Sequence, residues 1–130
     1  VECCSRLADE GVIRRPLHYN YCVGPGASSN LSATGKNLAL LNMLAEPGTS
    51  WGINHDSMKD FSILACAIGM GANAVRVGFE DSFAYAPGKY AKTNAELVKR
   101  LVELIRLMGC EPATPSEARE MLEIGTYWKK

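Results

Sequence analysis

Three times in 130 residues a short strand-like stretch is followed by a helical pattern, and that recurrence limits the folds open to the chain. The stretches are Leu17-His18-Tyr19-Asn20-Tyr21-Cys22-Val23, Trp51-Gly52-Ile53-Asn54 and Val75-Arg76-Val77-Gly78-Phe79-Glu80-Asp81. Regular alternation of strand and helix predicts parallel strands joined by right-handed crossovers. The helical patterns have recognisable limits. Residues 1–13 carry Leu7 and Ala8 before Gly11. Leu38, Leu41 and Leu44 recur every three residues up to Pro47-Gly48. Ser57 and Asp60 open a third helix with a predicted buried stripe of Met58, Phe61, Ala65 and Ile68, closed by Gly69 and Gly71. Thr93 and Glu96 form a capping-box pattern ahead of Leu97, Leu101, Leu104, Ile105 and Met108, and Gly109 is the stop. Thr114-Pro115-Ser116-Glu117 starts a last short helix.

Such an α/β chain is part of a doubly wound sheet or of a (β/α)8 TIM barrel. A barrel needs about 250 residues, so residues 1–130 would be the C-terminal part of one, approximately strands 6 to 8 with their helices. The central stretch tips the choice toward the barrel. Val75, Val77 and Phe79 alternate with Arg76, Gly78 and Glu80, which puts a guanidinium and a carboxylate together on one strand face. Such a face either carries a structural ion pair on a half-solvated strand or lines a cavity. The chain begins on Val1 within a helical pattern and reads as a piece of something longer. Three parallel strands leave two open edges and an uncovered inner face, so the fold is expected to depend on a missing N-terminal part of the barrel or on an assembly.

With 47% hydrophobic residues and 14 basic against 14 acidic side chains, the composition is that of one globular domain. Zero net charge without a Lys/Arg run argues against nucleic acid as a partner, and no apolar run reaches the length of a membrane span. The five cysteines, Cys3, Cys4, Cys22, Cys66 and Cys110, make no C-x-x-C pair. They are expected to be mostly buried small hydrophobes in a reducing, cytoplasmic compartment.

Candidate chemistry gathers at three loops that follow the strands: Gly24 to Asn30, Asn54 to Asp56, and Glu80 with Asp81. Gly24 and Gly26 could let backbone N–H groups approach a phosphate, or be ordinary loop glycines, since no phosphate-binding fingerprint is present. His55 beside Asp56 suits an acid–base pair, a metal ligand or a helix-start cap. His18 lies mid-strand, and Ser57 lies in no nucleophile elbow.

Gly71-Ala72-Asn73-Ala74-Val75-Arg76-Val77-Gly78-Phe79-Glu80-Asp81 resembles the R-V-G-x-E-D signature of the β-keto acid cleavage enzymes. The flanks agree: Pro16-Leu17 before a strand ending in Gly24, Pro47-Gly48-x-x-Trp51, Thr93-Asn94-Ala95-Glu96-Leu97-Val98, and Ala113-Thr114-Pro115-x-Glu117-Ala118-Arg119. The resemblance implies a zinc-dependent TIM barrel that joins a β-keto acid to acetyl-CoA by Claisen and retro-Claisen steps, giving acetoacetate and a new acyl-CoA. A homo-oligomer is expected. Carried over by motif, Glu80 is a zinc ligand, Arg76 a partner for substrate and for the acid, and Asp81 the acid–base group. Gly24, Gly26, Asn54 and His55 become candidates for substrate or CoA binding. Two departures stand out. The family's other zinc ligands are two histidines flanking one residue, and no H-x-H occurs here. Asn54-His55-Asp56-Ser57 stands where many members carry a glycine–arginine pair. The alternative is a noncatalytic part-barrel or a ligand-binding α/β module lacking the full metal site.

Overall fold

A computed structural model of the chain describes residues 1–25 and 31–124. Strands β1 (His18–Val23), β2 (Ser50–His55) and β3 (Ala74–Arg76) form a parallel sheet in that order. The register sets Asn20 beside Gly52 beside Ala74, and Cys22 beside Asn54 beside Arg76. The α/β class and the parallel strands follow the expectation from sequence. The layered register means that the side-chain period of two decides what each face of the sheet carries.

One face is apolar. Tyr19, Tyr21, Val23, Trp51 and Ile53 are buried in a single core with residues of α2 (Gly35–Leu44), α3 (Ser62–Gly69) and α4 (Asn94–Leu107). Leu38, Leu64 and Leu97 are the largest fully buried side chains of those three helices. Burying each such side chain stabilises the fold by roughly 1.5–3 kcal/mol. The other face carries His18, Asn20, Cys22, Gly52, Asn54, Ala74 and Arg76, and no helix covers it among the described residues. Small residues let its middle layer close up. A Cβ on Gly52 would lie 2.9 Å from both the Cβ and the carbonyl oxygen of Ala74.

Helix α1 (Glu2–Asp9) is held by Arg15, which donates from Nη2 to Asp9 at 2.8 Å and from Nε to Glu46 at 2.8 Å. The capping signals divide. Thr114 and Glu117 build a complete capping box at the start of α5 (Pro115–Met121). At α4, Thr93 accepts from the Glu96 amide, but the Glu96 carboxylate reaches past Thr93 to the Lys92 amide. At α3 the expectation fails. Asp60 accepts from the Ser62 amide at 2.8 Å, and Ser57 lies five residues ahead of the helix with φ of 59°. The helix therefore buries Ile63, Leu64 and Ala67, while Met58 and Phe61 are buried from the loop before it and Ala65 and Ile68 are only half-buried.

Three further expectations are corrected. The central strand stops at Arg76, because residues 78–82 fold back on Gly78, whose carbonyl accepts from the amides of Asp81 and Ser82. Phe79 is consequently exposed at 42%. The loop around Pro87-Gly88 contains an antiparallel hairpin, β4 (Ala84–Ala86) and β5 (Lys89–Tyr90). None of the five cysteines is in a disulfide, but Cys3 and Cys110 are exposed and the others half-buried, so none is a core residue. The tight β2–β3 approach yields a test. Gly52→Val should destabilise the complete protein by about 1–3 kcal/mol, seen as a lower melting temperature, because the added atoms meet backbone as well as a methyl group. An unchanged melting temperature would show that the two strands separate without cost.

Candidate active site

The turn after β3 is built to hold one carboxylate. Asn94, at the first position of α4, accepts from the Phe79 amide at 2.9 Å, and Gly78 accepts from the Asp81 amide. The Asp81 carbonyl accepts from Ser57 at 2.8 Å, which joins this turn to the loop after β2. So placed, the Asp81 side chain is 7% exposed and points back along the strand onto Arg76. Arg76 meets it as a fork: Nε donates to Oδ2 at 2.9 Å and Nη2 to Oδ1 at 2.6 Å. Paired, charge-assisted bonds of this type fix orientation as well as contact. That pairing, helped by Glu80, raises the Arg76 guanidinium above its already high ordinary value.

Asn54 extends the pair across the sheet. It is 2% exposed; its Nδ2 donates to Asp81 Oδ1 at 2.9 Å and to Cys22 Sγ at 3.2 Å, and its Oδ1 accepts from Asn20 at 2.8 Å. A continuous polar chain, Asn20–Asn54–Asp81–Arg76, therefore crosses all three strands on the uncovered face. Both oxygens of one carboxylate are addressed by three donors, so the group has little rotational freedom.

The two residues expected on one strand face, Arg76 and Glu80, part company. Their closest approach is 3.9 Å, and the Glu80 side chain is 84% exposed. The physical reason is the turn at Gly78, which aims Glu80 outward and leaves Asp81 as the arginine's partner. Glu80 is nonetheless an exposed oxygen donor next to the network, chemically suited to give one bond to a zinc ion. Among the described residues no three His, Cys, Asp or Glu side chains converge to complete such a site.

Gly24, at the end of β1, has φ of 132°, and a Cβ there would run into the Asp56 carbonyl and the His55 ring. Only glycine fits that approach of the first loop to the second. Gly26 lies outside the described residues. His55 closes β2 beside Gly24; its Nδ1 is buried and has no hydrogen-bond partner among the described residues. Sequence reasoning missed Asn20 and Cys22, although alternation along β1 puts both on the face that holds Asn54 and Arg76.

Burial pushes the His55 imidazole below its ordinary value, against the opposing pull of Asp60, Asp56 and Asp81. A group lowered on folding stabilises the fold while neutral. That contribution is present above about pH 6.5 and is lost as the pH falls toward the lowered folded value. His55→Gln should flatten the rise of melting temperature with pH just below about 6.5. An unchanged slope would mean that His55 titrates as it does in the unfolded chain.

Residues 1–124 match the family model of the beta-keto acid cleavage enzymes. The chain is 35% identical over 124 residues to the 3-keto-5-aminohexanoate cleavage enzyme of Fusobacterium nucleatum, a match covering 95% of this chain and 44% of that protein. Identity to the enzyme of the same name from Acetoanaerobium sticklandii is 38% over 124 residues, with the same coverage of 95% and 44%. Identity to the 3-dehydrocarnitine:acetyl-CoA trimethylamine transferase of Rhizobium meliloti is 32% over 124 residues, covering 92% of this chain and 39% of that protein. The chain thus spans less than half the length of the relatives it matches. On the extent of these matches, which include the turn that carries Arg76 and Asp81, the chain belongs to the beta-keto acid cleavage enzyme family.

Proposed function

We propose that this chain is the C-terminal part of a (β/α)8 barrel, approximately strands 6 to 8, in a zinc-dependent enzyme that condenses a β-keto acid with acetyl-CoA. The products are acetoacetate and a new acyl-CoA. The observation that carries this reading is the Arg76–Asp81 fork at the carboxyl end of a parallel strand, where barrel enzymes gather their chemistry. The one-sided helix layer supports the barrel: a sheet covered on one face only, with small and polar residues on the other, suits a lumen closed by further strands. The names of the relatives support a C–C bond-cleaving, acetyl-CoA-dependent transferase.

In this reading Asp81 accepts the proton lost from the carbon between the ketone and the carboxylate of the β-keto acid, and later returns one. Arg76 holds Asp81 in position through Nε and Nη2, and its Nη1 is left to meet the substrate's carboxylate. Asn54 fixes the same carboxylate from β2, and Gly24 and His55 border the substrate where β1 and β2 end. Glu80 would hold zinc, with the remaining ligands supplied from outside this chain. Bound zinc supplies a Lewis acid that stabilises negative charge on the enolate oxygen. A homo-oligomer in the cytoplasm completes the proposal.

The tests use acetyl-CoA-dependent acetoacetate formation by the complete protein. Asp81→Asn should lower kcat by ~10²–10⁴ while zinc content stays near normal. Near-normal turnover would make Asp81 structural. Glu80→Gln should lower zinc content and activity together, since an amide does not replace the ligand's charge. Full zinc occupancy in that variant removes Glu80 from the metal site.

A further inference from the structure

The β4–β5 hairpin is held firmly from below and left bare above. Underneath, the Arg100 guanidinium is stacked between two rings, 4.6 Å from the Tyr85 centroid and 5.3 Å from that of Phe61, which clamps the hairpin to α4 and to the loop before α3. Ser82 adds a second tether, donating from its hydroxyl to the Met58 carbonyl at 2.6 Å while accepting from the Ala84 amide. Ala84 and Ala91 are buried at its base. Above, Phe83 is 55% exposed and Tyr90 69% exposed, and the two rings meet edge to face at 5.4 Å, with Phe79 against Phe83 at 6.5 Å. A fixed scaffold that keeps three aromatic rings in water is a surface made to be covered.

Two spaces flank this hairpin, and Tyr90 forms part of the wall of both. The first, of about 600 Å³, has more apolar than polar wall, with Met58, Phe83, Ala84 and Pro87, and Asp81, Lys59 and Asp60 line it as well. The second, also about 600 Å³, is walled by Tyr85 and Tyr90 and carries Lys89, Lys92 and Lys99. Glu96 and Glu103 line it too, but one Glu96 oxygen is taken by the Lys92 amide. None of these lysines has an ion-pair partner among the described residues. Read outward from Asp81, the surface runs from carboxylate to apolar trough to aromatic rings and cations.

We propose that the hairpin is the docking platform for coenzyme A: the lysine and tyrosine groove takes the phosphorylated adenosine end, and the apolar cavity leads the pantetheine arm to Asp81. The order of chemistry along the surface is the order along that ligand, which has a flat base and three phosphates at one end and a neutral, thioester-bearing arm at the other. Cations near the phosphates contribute attraction that weakens with salt, whereas ring and trough contacts do not. This assignment rests on the acetyl-CoA reading above and deepens it, since it says where the coenzyme lies.

The test measures binding of CoA and of pantetheine, which lacks the phosphates and the adenosine, to the complete protein at low and high salt. The double variant Lys89→Gln/Lys92→Gln should weaken CoA about tenfold at low salt, reduce the salt dependence, and leave pantetheine unaffected. Tyr90→Ala should weaken both ligands, and Lys36→Gln, on the exposed side of α2, neither. All four positions are exposed, so unchanged melting temperatures are expected and are measured alongside. If CoA binds the unsubstituted protein and the lysine and tyrosine variants bind it equally well, the platform is wrong while the acetyl-CoA reading stands. If the unsubstituted protein binds no CoA, both are overturned. A change of oligomeric state in Tyr90→Ala with CoA affinity intact also overturns the platform, and makes the bare rings a contact between copies.

Discussion

One buried carboxylate organises the upper end of this sheet. Asp81 draws a fork from β3 through Arg76 and an amide from β2 through Asn54, while its main-chain carbonyl takes the Ser57 amide from the β2–α3 loop. A carboxylate 7% exposed would be costly without partners, and here each oxygen has at least one. The loops that surround it are consequently tied to each other through it. The proposed proton-transfer group and the local architecture therefore rest on one carboxylate, and a chemical change at that position is also a change in how the loops meet.

Beneath that end, the sheet divides its duties by face. Tyr19, Tyr21, Trp51 and Ile53 pack in the core that joins the strands to the helices, and Tyr21 and Trp51 meet ring to ring between β1 and β2 at 5.6 Å. The opposite face carries no large apolar side chain. Gly52 and Ala74 let β2 and β3 carry a flat middle layer, and the layer above it, Cys22, Asn54 and Arg76, is wholly polar or sulfur-bearing. Rigidity comes from one side and chemistry is presented on the other. Such segregation is what lets a packed scaffold hold a polar group within fractions of an ångström.

The sequence disclosed the repeating strand–helix order because alternation and capping are local. Pro115 with Thr114 and Glu117 is a complete instance: every contact that defines the start of α5 lies within four residues. It failed where a tertiary bond outranked a local preference. Val75 to Phe79 alternates like a strand, yet the bond from the Phe79 amide to Asn94, fifteen residues on, helps turn the chain after Arg76. Alternation alone thus paired Arg76 with Glu80, while the family pattern pointed to Asp81. The hairpin after Ser82 was hidden because its strands are only three and two residues long, and its clamp, Arg100, comes from the following helix. Asn20 was legible in principle: it shares a face with Asn54 and Arg76, and only the register between strands was needed to see it.

Arg76 and Asp81 are five residues apart, joined by a turn whose internal main-chain bonds, from the Asp81 and Ser82 amides, end on Gly78. Closing so short a loop costs little chain entropy, whereas Asn54 must be brought in from 27 residues away. The fork is thus a property of a peptide segment and the amide a property of the domain. A segment of that kind behaves as a cassette: gene fusion, circular permutation or grafting onto another parallel sheet would carry the arginine and its carboxylate across together, and the new host would need to supply the third donor and an acceptor for the Phe79 amide.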